Sequence, residues 1–346
     1  MIVHGNRRRW RLPAALVLAL SLGLAACGGG SEPNTNAATG DEQPAGETQT
    51  WRLAHCCADG SHFDVGAERF AELLAEYSGG AIEVEVFPDG QLGQETEVIQ
   101  SVQRGTIELT FIGHDPLAQF TETTTLLSLP YVFEDHGHAF ELLEGELGEH
   151  LEQELSASSL HVLGWGHNGA RVYTNNERPI EEPGDLQGLR IRSPENPVNL
   201  AITDTLGGAG VAMPYGDVYS ALQQGTIDGQ ENAVVNIAPA NLQEVQDYMS
   251  MTHHLLSFTV LLVNEDLLAG LDDDLRDAVE RAAADAMVEQ RSHSEQVTDE
   301  LITQMEEAGV EVNWPDLDSF REATRPIHDR YIGEAFDQAL YDLVTR

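Results

Sequence analysis

The chain contains no lysine: all 18 basic residues are arginine, set against 58 Asp and Glu in 346 residues, for a formal net charge of −40. Without lysine there is no Walker-A phosphate loop, no Schiff-base cofactor site, no Ser-x-x-Lys nucleophile and no kinase-type ATP site. So negative a surface repels phosphate backbones, which argues against nucleic-acid binding. Cysteine is scarce, three residues of which two are adjacent, so no disulfide framework holds the fold. Aromatics are few at 6 %, but 41 % hydrophobic residues suffice for a core, and the length fits about two domains. No repeat of solenoid length is present.

The charge is unevenly placed. Arg7, Arg8, Arg9 and Arg11 precede the first cysteine and no acid does, so the rest carries 14 arginines against 58 acids, a net of −44. This excess gives solubility. It also points to adaptation to high salt, where screening removes the self-repulsion that loosens a compact state. The basic residues are followed by an apolar stretch, Leu12 to Leu24, too short to span a bilayer. Leu24-Ala25-Ala26-Cys27 then matches the bacterial lipobox, so residues 1–27 are expected to be a lipoprotein signal peptide with Cys27 acylated. The alternative is an ordinary cleaved signal with Cys27 incidental, and Sec and twin-arginine export both stay open. Residues 28–50, Gly, Ser, Pro, Asn, Thr and acids, form a tether with an r.m.s. reach of roughly 25 Å. The expected location is periplasmic or on the cell surface.

Cys56 and Cys57 remain, and adjacent cysteines close only a strained ring. With His55 and His62 they invite a metal reading, but zinc ligands are usually spaced so that both sulfurs converge. They are taken as loop thiols, and neither a metal nor a cofactor is expected.

From Trp51 the pattern alternates strand and helix. Strands are expected at Trp51 to His55, Ile82 to Phe87 and Leu109 to Ile112, with helices at His62 to Tyr77 and Gln94 to Arg104. A second unit offers strands at Leu160 to Trp165, Leu189 to Arg192 and Phe258 to Asn264, with helices at Val198 to Leu206 and Asp217 to Gln224. One long helix starts at Asp272-Asp273-Asp274, where acids complement the helix dipole, and the tail from Leu317 to Val344 also reads as helical. The expectation is an α/β, two-lobed, periplasmic-binding-protein-like fold with a mainly parallel sheet, a central ligand cleft and a hinge-spanning long helix. The first lobe is placed at 51–168 and about 257–300, the second at 169–256 and about 301–346. Two lobes, export and a tether describe a solute-binding receptor.

In so acidic a chain an arginine in a low-charge setting stands out. Arg171 closes Gly164-Trp165-Gly166-His167-Asn168-Gly169-Ala170-Arg171, and Arg192 ends Asp185 to Arg192. Arg190 and Arg192 share one side of an ideal strand, but Arg192 lies at the carboxyl end, where ligands gather in α/β proteins. Its planar fork suits a carboxylate. The competing reading is an arginine paired with one of the many acids.

The chain from about Trp51 onward resembles the DctP family, the extracytoplasmic solute-binding subunits of tripartite ATP-independent periplasmic (TRAP) transporters. The resemblance is carried by Phe87-Pro88-Asp89-Gly90-Gln91-Leu92-Gly93, Leu129-Pro130-Tyr131-Val132-Phe133 and Gly169-Ala170-Arg171. It continues through Asp185 to Arg192, Pro214 to Gly225 and Asp228-Gly229-Gln230-Glu231-Asn232. It implies a carboxylate-binding arginine at Arg192, a second at Arg171 and a donating amide at Asn232. It further implies apolar walls from Tyr215 and Trp165, and a first-lobe lining from Glu97, His55 and His114. The ligand implied is a small organic acid (a C4-dicarboxylate, 2-oxo acid or sugar acid), and the partners are the small and large TRAP membrane subunits. A monomer without enzymatic activity is expected. Asn232-Ala233 stands where the family has Asn-Pro, and the paired cysteines match no family motif.

His136-Gly137-His138 is read as a solvated loop, His254 as a packing or hydrogen-bonding residue near the hinge, and Glu144 to Glu154 as a solvated helix face. Two rivals stand beside the receptor: a ligand-sensing module on the same fold, and an exported hydrolase. The hydrolase lacks a Gly-x-Ser-x-Gly elbow and a His-Glu-x-x-His motif.

Overall fold

Two strands far longer than their sequence signals organise the molecule. In a computed structural model that describes residues 48–346, β4 (Leu160–Asn175) and β8 (Tyr248–Asn264) run antiparallel along their whole length. The expected signal segment 1–27, Cys27 and nearly all of the tether lie outside the described residues. The other strands are β1 (Gln49–Ala54), β2 (Ile82–Phe87), β3 (Leu109–Gly113), β5 (Arg190–Ser193), β6 (Ala209–Ala212), β7 (Gly229–Ala233) and β9 (Glu311–Asn313). They form one nine-stranded sheet in the order β2-β1-β3-β8-β4-β7-β5-β6, with β9 beside β8. The β1, β2 and β3 group is parallel, as is the β5, β6 and β7 group. The expected mainly parallel sheet is therefore mixed: β4 and β8 join the groups through antiparallel pairings on both sides. Both were expected only at one end, because the Gly-rich middle of β4 and the Met- and His-containing first half of β8 lack the β-branched pattern that marks a strand.

The helices follow their caps. Helix α1 (His62–Tyr77) starts where the Ser61 hydroxyl accepts the Asp64 amide, and it buries Phe63, Ala67, Phe70 and Leu74 as the periodicity requires. Next come α2 (Glu95–Gln103), α3 (His136–Leu143), α4 (Glu146–Ser156), α5 (Pro197–Thr205), α6 (Val218–Gln223), α7 (Val234–Ile237) and α8 (Glu265–Ala269). The long helix α9 (Asp273–Glu307) is capped by the Asp272 carboxylate on the Leu275 amide. Its buried stripe (Ala278, Ala282, Ala283, Ala286) is small enough to lie against β4, and it also touches α1 and α7, so it spans both strand groups. The tail is three helices rather than one: α10 (Leu317–Thr324), α11 (Pro326–Tyr331) and α12 (Gln338–Val344). Pro326 and the Gly333 turn break it. The tail contacts α5 through α10 and α11, and α4 through α12. Among the described residues no helix is long and apolar enough to cross a membrane.

Two further expectations are corrected. His136 begins α3 and rests its ring 4.1 Å from that of His167, so it belongs to a packed cluster, not a solvated loop. On α4, Glu152 accepts the Val162 amide and pairs with His161, while Glu154 accepts from the Thr121 and Thr123 hydroxyls. That face of α4 is half-buried against β4 and the loop before α3.

Candidate functional site

The carboxyl end of β5 puts Arg192 next to Pro194 in a chamber at the middle of the sheet. Arg192 is 2 % exposed, and its Nε donates to the Met213 carbonyl at 2.9 Å. Among the described residues it has no carboxylate within salt-bridge distance, and its two terminal nitrogens make no hydrogen bond. Burial, reinforced by the nearby Arg171 charge, pulls its pKa below the usual guanidinium value. Arg190, two residues earlier, is exposed and forks onto Asp228 at 2.6 and 3.0 Å. The two side chains leave the strand at different depths, which alternation alone does not reveal.

Arg171 is equally buried but fully engaged. It is forked onto Glu231, with one nitrogen also donating to the Glu231 carbonyl at 2.9 Å, and it reaches Asp115 at 3.4 Å and the Asn232 side-chain oxygen at 3.2 Å. Burial opposes ionisation of Glu231, but the Arg171 charge and the hydrogen bond from His254 outweigh it and hold that carboxyl well below its usual range. His254 reaches Glu231 at 3.4 Å and Thr252 at 2.9 Å and lies stacked on Tyr173, the hydrogen-bonding role expected of it.

Asn232 accepts through Oδ1 from Arg171 and from Asn236 Nδ2, so its own Nδ2 is left without a partner among the described residues. The polar chain continues from Asn236 to Asn168 at 2.9 Å, and from Asn168 to His62 at 2.9 Å and Ser257 at 2.9 Å. Tyr215 donates to the Asn236 carbonyl at 2.8 Å, and its ring centroid lies 6.0 Å from the Arg192 guanidinium carbon.

Two connected spaces meet here. The chamber at Arg192, Asn232, Glu95 and Asp115 has a volume of about 30 Å³, enough for a small polar group. A larger cavity of about 330 Å³ adjoins it, and Cys56, Cys57, Tyr215 and Asn236 line both. Its outer wall includes Ser61, Asp89 and Tyr219, so Tyr219 faces the cavity as well as Tyr215.

Four sequence-selected residues do not reach these spaces. Trp165 is a core residue whose carbonyl accepts from Arg291. Glu97 is exposed and closes the N-terminal turn of α2 by accepting the Gln94 amide; Glu95, two residues earlier, faces the chamber. His55 is buried against Phe63 and held by Asp64 at 3.3 Å. His114 is tied to Ser128 and Phe258, and the lining residue is its neighbour Asp115. In each case a residue nearby in the sequence lines these spaces and the named side chain does not. Asn168, Asn236 and Glu231 were missed, although Glu231 and Asn232 adjoin in the sequence. Among the described residues, His55, His62 and the cysteines do not converge as metal ligands. The only such group is Glu152, His161 and Glu265, remote from the chamber.

Comparison with known proteins agrees with this geometry. The family model for bacterial extracellular solute-binding protein, family 7 (DctP), matches residues 53–334. The 2,3-diketo-L-gulonate-binding periplasmic protein YiaO of Escherichia coli K12 is 34 % identical over 72 % of this chain and 76 % of its own length. The crystal structure of a TRAP periplasmic solute-binding protein from Polaromonas sp. JS666 bound to D-erythronate superposes with a TM-score of 0.83. It is 31 % identical and is matched over 86 % of this chain and 98 % of that one. A counterpart from Roseobacter denitrificans with bound β-D-glucuronate gives 0.83 at 29 % identity, over 86 % and 99 % of the two chains. The chain therefore belongs to the DctP family of extracellular solute-binding proteins, whose members bind substrates for TRAP transport and are not enzymes.

Proposed function

We propose that this protein captures a small sugar acid through Arg192 and delivers it to the two membrane subunits of a TRAP transporter. The observation that carries the reading is the contrast between the arginines: Arg171 is neutralised by Glu231, whereas Arg192 keeps both terminal nitrogens for a ligand carboxylate. The chamber offers the Arg192 guanidinium to a carboxylate, with the Asn232 amide as a further donor. The polar body of the ligand then occupies the adjoining cavity beside Asn236, Tyr215 and Ser61. The 2,3-diketo-L-gulonate, D-erythronate and β-D-glucuronate of the relatives support a hydroxylated monocarboxylate over a C4-dicarboxylate or a simple 2-oxo acid. Entry requires the lobes, taken as 51–168 with about 257–300 and 169–256 with about 301–346, to part along β4 and β8 and then close. Closure desolvates the ion pair and presents the loaded form to the membrane subunits.

Arg192→Ala is expected to weaken D-glucuronate or D-erythronate binding at least tenfold in calorimetry, since truncating one partner of a desolvated pair costs about 2–5 kcal/mol. Unchanged affinity with an intact fold removes Arg192 from the role. Screening C4-dicarboxylates and 2-oxo acids alongside tests the substrate class.

We further propose that acylated Cys27 holds the receptor to a membrane. Cys27→Ala is expected to move the protein from the membrane to the soluble exported fraction; retention in the membrane fraction rejects the anchor.

A further inference from the structure

The two adjacent thiols are the one reactive feature of the cavity wall that carboxylate binding leaves unused. Cys56 and Cys57 line both compartments, with their sulfurs 3.4 Å apart. Cys57 is buried, and its sulfur lies 3.9 Å from Asn236 Oδ1, in the same polar chain that carries Asn232. Cys56 is half-buried beside the 330 Å³ cavity, which gives a small reagent a route to it. The loop is clamped on both sides of the pair: the Asp89 amide donates to the Cys57 carbonyl at 2.9 Å, and the Gly90 amide to the His55 carbonyl at 3.0 Å. Among the described residues the pair belongs to no group of three or more converging metal-ligating side chains, and His55 is held by Asp64 and His62 by Asn168.

We propose that Cys56 and Cys57 are a modification site, a dithiol that closes reversibly into a disulfide ring in the wall of the ligand cavity. The co-reactant is an organic disulfide. One cysteine thiolate attacks it, breaking its S–S bond, releasing one thiolate and leaving a mixed disulfide. The second cysteine thiolate attacks the protein sulfur of that bond, which expels the second thiolate and forms the Cys56–Cys57 bond. Two cysteine sulfurs are oxidised, the organic disulfide is reduced to two thiols, and the two cysteine protons end on those thiols. Ring closure brings the sulfurs from 3.4 Å to about 2.05 Å. Strained or exposed disulfides are readily reduced, so the ring opens again under mild thiol. The hydrogen bond between the two sulfurs, together with burial, pushes the Cys56 thiol up, so exchange accelerates as pH rises.

The ring also changes what the cavity offers, a consequence that rests on the function proposed above. The reduced pair presents S–H donors beside Asn236; the closed ring presents none. D-Glucuronate affinity is therefore expected to differ at least threefold between the two forms.

The test uses the folded full chain, incubated with glutathione disulfide at pH 8, quenched in acid, alkylated and cleaved after arginine. Cleavage at Arg52 and Arg69 yields residues 53–69 with both cysteines, and Cys27 falls in a different fragment. The expected fragment has lost two hydrogens and takes no alkyl group, and dithiothreitol restores two alkylation sites. Cys57→Ser is expected to retain a glutathione adduct on Cys56, because the resolving thiol is gone. Two free thiols, or a persistent adduct in the unsubstituted chain, overturns the proposal. Equal D-glucuronate affinities of the two forms overturn the coupling to the cavity. A closed ring in a protein that binds no sugar acid in either form counts against the proposed function and leaves the modification site standing.

Discussion

Arg171 and Arg192 are both buried, and their partners separate their roles. Glu231 and Asp115 hold Arg171 as a fixed member of the wall, where removing one side of a buried pair leaves an uncompensated charge. Arg192 lacks such a partner among the described residues, and on the function proposed above an incoming anion completes it. Glu95 is expected to make ligand binding here pH-sensitive. Its carboxyl lines the chamber and accepts the Gly113 amide at 3.0 Å, and burial pushes its pKa up. A ligand carboxylate at Arg192 adds like charge nearby, which pushes Glu95 further up, so binding takes up a proton. D-Glucuronate affinity is expected to tighten roughly threefold or more from pH 8 to pH 5.5, and Glu95→Gln to abolish that dependence while keeping the Gly113 hydrogen bond. An unaltered pH profile in Glu95→Gln shows that another group binds the proton. At this scale the sequence revealed residue types better than directions. Arginines in an acidic chain and a strand-end position were legible, but choosing Glu95 over Glu97, or Asp115 over His114, needs the helix phase and the loop path.

The elements along which the proposed closure would run are β4, β8 and α9. The register between β4 and β8 shifts at Val162/Gly164, His167/Gly169 and Arg171/Tyr173, which bends the pair where the two strand groups meet. Gly166 faces α9 so closely that a Cβ there would strike Thr259 Oγ1 and Gln290 Oε1, and Gly169 takes φ +95 at a shift. The Gly-rich segment that carries Arg171 is thus a bulged strand under a long helix. Beside it lie His62, His136 and His167, which burial holds at about 3, 4 and 2, far below the usual histidine value. His167 also bonds Ser294 of α9 at 2.9 Å, and it feels His136, His62 and Arg291. These folded pKa values are depressed, so the rings stay neutral in the fold and bind protons on unfolding once pH falls below about 6.5. Stability is present above that pH and is expected to fall on acidification from pH 6.5 toward 4.5, by up to about 1.4 kcal/mol per pH unit for each ring. Urea denaturation at stepped pH measures the slope, and His136→Phe is expected to reduce it. A flat profile rejects the cluster as the source of acid sensitivity. His161 opposes this trend. Burial would lower it, but Glu152 and Glu265 outweigh burial and raise it, so its contribution is held at low pH and lost as pH rises through the raised value.

At the scale of the whole molecule, the net of −44 beyond the leading arginines acts against the compact state at low ionic strength. Tm in sodium chloride is expected to rise by several degrees between about 0.1 M and 2 M as repulsion among exposed acids is screened. A Tm that does not rise removes high-salt adaptation as the reason for the composition. The proposed ligand capture by Arg192 is expected to be screened far less, because that contact would be desolvated and short-range. The sequence by itself determined the fold class, most strands and helices of the first strand group and the long helix, and it singled out the arginine proposed for the site. Those follow from local periodicity, caps and the rarity of a positive residue in an acidic chain. Only the tertiary structure decided that β4 and β8 run through both groups, that Arg171 is neutralised while Arg192 is not, and that Cys56 and Cys57 face the cavity. Each depends on which distant residues meet across the sheet, and no local pattern encodes the partner of a buried charge or the direction of a loop side chain.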